Sequence, residues 1–329
     1  MTAEPEPAGT LSTALTAALG IRHPILLAPM GGTAGGRLAA AVSEAGGLGL
    51  IGGGYADPAW LATEIEAAGD ARVGIGFITF ALDARPQALR VALDAEPAAI
   101  QLSFGDPRPY VDDIRAAGAL VICQVQTPDE IAAAVDVGAD VVVAQGQDAG
   151  GHGRPDRGTM GLVPSVVDEV APMPVAAAGG IADGRGLAAA LMLGAAGVTM
   201  GTRFLASTHA ESNPAEAAAL VEGRSEDTVR TDVFDVVRGP SWPAGHDGRV
   251  LRNRLTDEWD DRRDEPAAIA VVHASAEDDY GVRPLWAGEG LDLITAIETP
   301  ASIIATVVDE AVRRLIAGQR LIQRSASGG

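Results

Sequence analysis

The segment PVAAAGGIADGRGLAAALMLGAAGVTMGTRF, residues 174–204, holds two short apolar stretches separated by a helix-forming stretch. Pro174 to Gly180 and Gly197 to Phe204 are predicted strands, because each is a short apolar run bordered by glycine. Asp183 is a typical N-cap for a helix that runs to about Leu193, and Gly194 is a typical residue to end it. The segment therefore predicts a crossover from one parallel strand to the next.

The same pattern recurs upstream, with strand starts separated by roughly the 20 to 35 residues that a strand, a helix and two loops require. Asp57 and Pro58 open one predicted helix that ends before Gly69, and Thr127 and Pro128 open another that stops at Gly138. Eight such units predict an α/β fold of the (β/α)8 TIM-barrel type. The six further predicted strands are Ile25 to Ala28, Leu48 to Gly52, Val73 to Ile78, Ala99 to Ser103, Leu120 to Val125 and Val141 to Gly146.

The region after the eighth strand has a different composition. Residues 205–291 are richer in charge, and they contain no stretch that resembles a strand as clearly as those upstream. We therefore expect a barrel core in residues 1–204, a mostly helical insertion in 205–291, and a C-terminal helix in 292–329, from Pro300 to about Leu321, that closes the ring. The alternative is a separately folded C-terminal domain.

Composition narrows the class of partner. The formal net charge is −20, and the arginines do not cluster, so nucleic acid is excluded as a partner and a small molecule is expected. The N-terminus lacks the basic and apolar regions of a secretory signal, and no stretch has the roughly 18 apolar residues of a membrane helix. We expect a cytoplasmic protein without a membrane partner, which could form a homodimer.

Two residue counts exclude whole classes of chemistry. The chain has no lysine, so enzymes that depend on a lysine Schiff base, including those that use pyridoxal phosphate, are excluded. The single cysteine, Cys123, lies in an apolar run and is interpreted as a core residue, so neither a disulfide nor a cysteine-based zinc site is expected.

In this fold the active site lies where the strands end. The loops after the seventh and eighth strands are the usual phosphate site, because glycine lets backbone N–H groups approach an anion. Gly179 and Gly180 followed by Gly201 and Thr202 fit this requirement, with Arg203 as a further candidate. Gly179 and Gly180 could instead be ordinary turn glycines.

A histidine in the loop after the sixth strand is the candidate for acid–base chemistry. His152 follows two glycines, and an imidazole can exchange a proton near neutral pH. The alternative is a solvated loop residue. His23, His209, His246 and His273 are interpreted as structural, although His246 could lie on a lid.

Five segments together resemble the nitronate monooxygenase family, whose relatives include FMN-dependent enoyl-carrier-protein reductases. The resemblance covers roughly residues 20 to 210 and, weakly, 286–291. The segments are PILLAPM, AGGLGLIGGG, AQGQDAGGHG, AAAGGIADGRGLAAALMLGA and MGTRFL.

The resemblance implies an FMN site and a role for each matching position. His152 would face the substrate as a catalytic base or as a hydrogen-bond donor to its nitro group. Gly76 departs from the pattern, because many relatives have asparagine there. The implied cofactor-binding residues are Ala28, Pro29 and Met30 against the flavin ring, Gln124 and Gln145 near the ring or ribityl chain, Gly150 and Gly151 in the pocket wall, Gly179, Gly180, Gly201 and Thr202 around the phosphate, and Gly76 and Ala178 as further cofactor-binding positions.

The function that this resemblance implies is oxidation of alkyl nitronates, such as propionate 3-nitronate, by FMN and O2 to a carbonyl compound and nitrite. An alternative is an NADH-dependent FMN reductase of enoyl thioesters or quinones. Pro29 and Met30 favour the monooxygenase, since the reductases more often have Gly-Gly-Met there. A barrel that binds a phosphate ligand without catalysis is a third alternative.

Overall fold

A computed structural model describes residues 9–238, 242–262, 265–266, 269–270 and 281–321 of the chain. Eight strands pair in parallel in the order β1-β9-β8-β6-β5-β4-β3-β2. A parallel bridge between Leu26 and Leu48 joins the two ends of this sheet, so the strands form a barrel. The strands are β1 (Ile25–Leu27), β2 (Leu50–Gly54), β3 (Gly74–Ile78), β4 (Ala99–Ser103), β5 (Leu120–Val125), β6 (Val141–Gln145), β8 (Val175–Ala178) and β9 (Gly197–Met200).

Helices cover the outside of this barrel. The last helix, Pro300–Gln319, comes after β9 and the insertion in the chain. It packs against the helices that follow β8 and β1, and it thereby takes the eighth place in the ring. The helices are α1 (Ala14–Leu19), α2 (Gly36–Glu44), α3 (Pro58–Ala68), α4 (Thr79–Ala84), α5 (Gln87–Asp94), α6 (Val111–Ala116), α7 (Pro128–Asp136), α8 (Thr159–Val170), α9 (Gly184–Met192), α10 (Thr202–Leu205), α11 (Pro214–Glu222), α12 (Asp235–Arg238), α13 (Arg254–Trp259) and α14 (Pro300–Gln319).

Apolar side chains fill both faces of the sheet. One cluster lies between the strands and the surrounding helices, and a second fills the barrel interior with residues such as Leu26, Ile122 and Val143. Leu15 and Leu19 of α1 belong to the interior cluster, so α1 closes one end of the barrel. Strands buried on both faces need near-continuous apolar runs, which is why the sequence pattern identified them. The barrel is thus a packed core whose other end is free for a binding site.

The predicted TIM-barrel fold is confirmed, with small differences at element ends. Strand β2 begins at Leu50, two residues later than predicted. The eighth predicted strand stops at Met200, because the chain turns at Gly201 into α10. Asp183 accepts hydrogen bonds from the amides of Arg185 and Gly186, which confirms its role as the N-cap of α9.

The insertion contains two strands that the sequence pattern did not predict. The strands β7 (Gly151–Gly153), β10 (Thr228–Thr231) and β11 (Asp247–Leu251) form an antiparallel sheet in the order β10-β11-β7. Arg230 and Arg249 lie opposite each other in it, and each pairs with an acidic residue, Asp247 and Glu289 respectively. Such charged strands lack the apolar alternation by which strands are recognised. The domain boundaries at 204 and 291 stay a prediction.

No helix in the described part of the chain is long and apolar enough to span a membrane. Cys123 is buried and has a free thiol, as the sequence indicated, and burial raises the pKa of that thiol to about 12.

Candidate active site

The C-terminal ends of the barrel strands surround a cavity of about 580 Å³. This volume lies within the range of roughly 300–1,000 Å³ that is usual for small-molecule sites. All fourteen residues to which the family resemblance assigns a role line this one cavity: Ala28, Pro29, Met30, Gly76, Gln124, Gln145, Gly150, Gly151, His152, Ala178, Gly179, Gly180, Gly201 and Thr202.

The two glycine turns lie side by side because β8 and β9 are neighbours in the sheet. Gly179 has φ +114° and Gly180 has φ +67°, conformations that side-chain-bearing residues rarely adopt. A Cβ at Gly179 would lie 2.6 Å from Oγ1 of Thr159. The hydroxyl oxygen of Thr202 accepts a hydrogen bond from the amide of Gly288 at 3.1 Å, so its proton is free to be donated. The turns can present N–H and O–H donors to an anion.

Arg203 does not line the cavity. Its guanidinium is buried, forms an ion pair with Glu298, and donates to the carbonyls of Ala206 at 3.2 Å and Ala296 at 3.4 Å. Burial is the main reason that its pKa is lowered. Arg203 therefore ties α10 to the segment before α14, and a phosphate at these turns would depend on the amides and Thr202.

The glycine at position 76, where many relatives have asparagine, has a local structural reason. Gly76 lies on β3 with its Cα facing Pro29, and a Cβ there would overlap Cβ and Cγ of the proline ring. Proline after β1 and glycine on β3 therefore suit each other. An asparagine at position 76 would need the loop after β1 to lie elsewhere.

Two glutamines at the strand ends behave differently. Oε1 of Gln124 lies 3.4 Å from the hydroxyl of Ser103 and 3.5 Å from Nε2 of Gln101, so both groups donate to it. Nε2 of Gln124 is buried and has no partner among the described residues, so it is a donor available to a ligand. Gln145 instead uses Nε2 to hold the backbone carbonyl of His152 at 2.8 Å.

His152 lies on β7 with its imidazole held from three sides. Nε2 lies 2.9 Å from both carboxylate oxygens of Asp235, the first residue of α12. The ring stacks on Trp242 at a centroid distance of 3.7 Å and an interplanar angle of 4°, and it contacts Trp286 at 4.7 Å. His152 pairs with Gly248 of β11. Because Gly248 has no side chain, the Trp286 ring fits beside it, where a Cβ at position 248 would overlap the ring.

Six aromatic side chains of the described residues form a connected cluster around this imidazole. Phe104 has φ +62°, an unfavourable conformation for a bulky residue that often marks functional sites. Nε1 of Trp242 donates to the hydroxyl of Tyr55 at 3.0 Å, so the indole is satisfied without water. The six residues are Tyr55, Phe80, Phe104, Phe234, Trp242 and Trp286.

The sequence analysis missed Asp235, Trp242, Tyr55 and Phe104. The signal available for the aromatic residues was their scarcity in the chain, but nothing in the sequence indicated that they would meet. No group of residues able to hold a metal ion occurs in the described ranges.

Three other histidines in the described ranges lie away from the position of His152. His23 is buried near the start of β1, and His209 is exposed beside Thr208. His246 contacts Phe104 and Trp242, so it borders the cluster. His273 lies outside the described residues.

The model of the nitronate monooxygenase family matches residues 12–74 and 76–310. The chain belongs to the nitronate monooxygenase family. A member from Pseudomonas aeruginosa is 34% identical over 90% of this chain and 98% of its own length. Membership makes the chain an oxidoreductase of a family that is flavin-dependent in general.

Solved structures agree with this assignment. FabK from Thermotoga maritima superposes with a TM-score of 0.84 at 32% identity, over 95% of this chain and 100% of that one. A nitroalkane oxidase from Streptomyces ansochromogenes superposes with a TM-score of 0.77 at 28% identity, over 93% and 99% of the two chains.

Proposed function

We propose that this family member is an FMN-dependent monooxygenase that oxidises alkyl nitronates with O2 to a carbonyl compound and nitrite. Propionate 3-nitronate is one such substrate. The observation that carries the proposal is that the glycine turns after β8 and β9 and the imidazole of His152 line the same cavity. One set of groups suits an anionic phosphate, and the other suits proton transfer or hydrogen bonding.

The residues around the cavity suit FMN. The amides of Gly179, Gly180 and Gly201 and the hydroxyl of Thr202 would hold its phosphate, and the unpartnered Nε2 of Gln124 would donate to its ring or ribityl chain. The remaining cofactor-binding positions of the sequence analysis would form the wall around the ring. A bound FMN would supply the redox chemistry that the oxidation of a nitronate by O2 requires.

The chain itself has three tasks in this reaction. The loops hold the substrate in the cavity, His152 donates a hydrogen bond to a nitro oxygen or takes a proton, and the aromatic cluster excludes water. Excluding water strengthens the hydrogen bond that a protonated His152 donates to a negatively charged nitro group, because the local dielectric is low.

Anaerobic mixing of the holoenzyme with propionate 3-nitronate tests the proposal. We expect the flavin absorbance to bleach, and O2 to restore it with release of nitrite. Flavin that stays fully oxidised would rule out this function. The predicted homodimer is a separate matter, which analytical ultracentrifugation would decide.

The likeness to FabK favours one second candidate, an NADH-dependent FMN reductase of enoyl thioesters or quinones. The same anaerobic apparatus separates the two functions. Rapid bleaching by NADH without bleaching by a nitronate would favour the reductase. A colourless protein that takes up no FMN would favour the third alternative, a binding protein.

A further inference from the structure

The hydrogen bond between His152 and Asp235 determines which nitrogen of the imidazole can accept a proton. A carboxylate only accepts hydrogen bonds, so Nε2, at 2.9 Å from both oxygens of Asp235, must carry its proton. In a neutral imidazole the lone pair then lies on Nδ1. Nδ1 makes no hydrogen bond to the described residues, and His152 lines the cavity.

The carboxylate is held firmly in this place. The preceding residue, Phe234, is fully buried in an apolar cluster with Val233 and Val250, and Asp235 itself begins α12. The side chains of Asp235 and His152 are only 13% and 10% exposed. The parallel stacking of Trp242 on the imidazole fixes the plane of the ring. Sheet β10-β11-β7 brings these parts of the insertion to the barrel.

We propose that Asp235 is a positioning residue that leaves the lone pair of the His152 imidazole on Nδ1, so that Nδ1 is the atom that takes the proton when His152 acts as base; this inference rests on the proposed function. The proton on the carbon beside the nitro group moves to Nδ1. The electron pair of the broken C–H bond stays with the substrate, which becomes a nitronate with its charge on the nitro oxygens. Asp235 stabilises the imidazolium that results, as a carboxylate does in an Asp–His pair. The insertion would then be part of the active site.

A nitroalkane and its nitronate separate this role from a structural one. Nitroethane needs the proton transfer, whereas ethylnitronate has already lost that proton. A variant that impairs only the base should therefore slow flavin reduction by nitroethane far more than reduction by ethylnitronate. A variant that damages the pocket should slow both.

The test uses the Asp235→Asn holoenzyme. An asparagine amide can donate to Nε2, which would move the imidazole proton to Nδ1 and remove the base. We expect the rate with nitroethane to fall by roughly 100- to 10,000-fold, the usual range for losing acid–base catalysis, and the rate with ethylnitronate by less than about 10-fold. Asp257→Asn, an exposed position of α13 in the same insertion, is the matched control and should leave both rates unchanged.

A double variant checks that Asp235 acts through the imidazole. Asp235→Asn should have no further effect on nitroethane turnover once His152→Ala is present. An equal loss with both substrates, unchanged rates, or a gain with both would overturn the proposal. A gain would mean that the carboxylate obstructs the substrate position.

The tautomer itself can be measured without turnover. Nitrogen NMR of protein labelled at histidine should show a protonated Nε2 and an unprotonated Nδ1 at His152, with the two exchanged in Asp235→Asn. The opposite result in the unmodified protein would also overturn the proposal. If neither substrate reduces the flavin, the proposed function has failed, and the NMR result still decides the pairing.

Discussion

Replacing Gly179 by alanine tests the role of the glycine turn after β8. The position has φ +114°, and even the milder left-handed helical conformation costs an L-residue about 1–2 kcal/mol. The new Cβ would also lie 2.6 Å from Oγ1 of Thr159 and 3.1 Å from the backbone of Ala149 and Gly146, and such overpacking costs about 1–3 kcal/mol. The combined strain is about 2–5 kcal/mol.

This strain should appear partly as lost affinity for FMN. If the turn relieves it by displacing its amides, 2 kcal/mol corresponds to a roughly 30-fold higher Kd. Flavin fluorescence quenching on titration of the apoprotein with FMN measures the change in Kd. Urea unfolding measures the rest of the strain energy, as a loss in the free energy of unfolding. Gly118→Ala is the matched control, because Gly118 also has a positive φ, +78°, but has open space around it.

Gly118→Ala should lower the free energy of unfolding by about 1–2 kcal/mol and leave the Kd for FMN unchanged. The reasoning about the turn is refuted if Gly179→Ala folds and binds FMN within about 3-fold of the unmodified protein.

Three further predictions concern the rest of the cavity wall and its surroundings. Gly76→Asn should lower the free energy of unfolding by about 1–3 kcal/mol in urea, because the side chain overlaps Pro29. Gln124→Leu should raise the Kd for FMN by roughly 2- to 10-fold in the quenching assay, the usual effect of one lost hydrogen bond. Burial, and then the hydrogen-bonded Glu64 carboxylate, raise the pKa of Glu211, so its stabilising contribution is present below about pH 4 and is lost as pH rises through the raised value. The urea midpoint of Glu211→Gln should therefore fall less steeply between pH 4.5 and 8.

Each of these has a control on the surface. Gly161→Asn places the new side chain in open space on α8, and a loss as large as that of Gly76→Asn would contradict the overlap argument. Gln87→Leu, at an exposed site, should leave FMN binding unchanged. Glu222→Gln, exposed on α11, should keep the full pH dependence. If the urea midpoints of Glu211→Gln and Glu222→Gln change equally with pH, the Glu64–Glu211 pair does not cause the pH dependence of stability.

Local sequence was sufficient to predict the barrel. Parallel strands buried on both faces must be continuous apolar runs, and helix ends carry recognisable caps such as Asp57 and Asp183. Once the repeat was counted, the rule that active sites lie at the strand ends pointed to the glycine turns and His152, and the family resemblance supplied the other positions; all of them line one cavity. Their assignment to FMN stays a proposal.

Pattern was not sufficient for the insertion. Strands β10 and β11 carry arginines whose charges are balanced only by partners distant in sequence, such as Asp247 for Arg230 and Glu289 for Arg249. Periodicity records the burial of apolar residues and contains no information on such pairs.

The sequence alone determined the strand–helix repeat, the glycine turns and the presence of a histidine beside them, since each depends on neighbouring residues and on backbone sterics. Only the tertiary structure decided that Arg203 turns to Glu298, that Gly76 matches Pro29, and that Asp235 and Trp242 hold His152. These contacts join residues from 47 to 95 positions apart, and their geometry exists only once the barrel and the insertion have packed together.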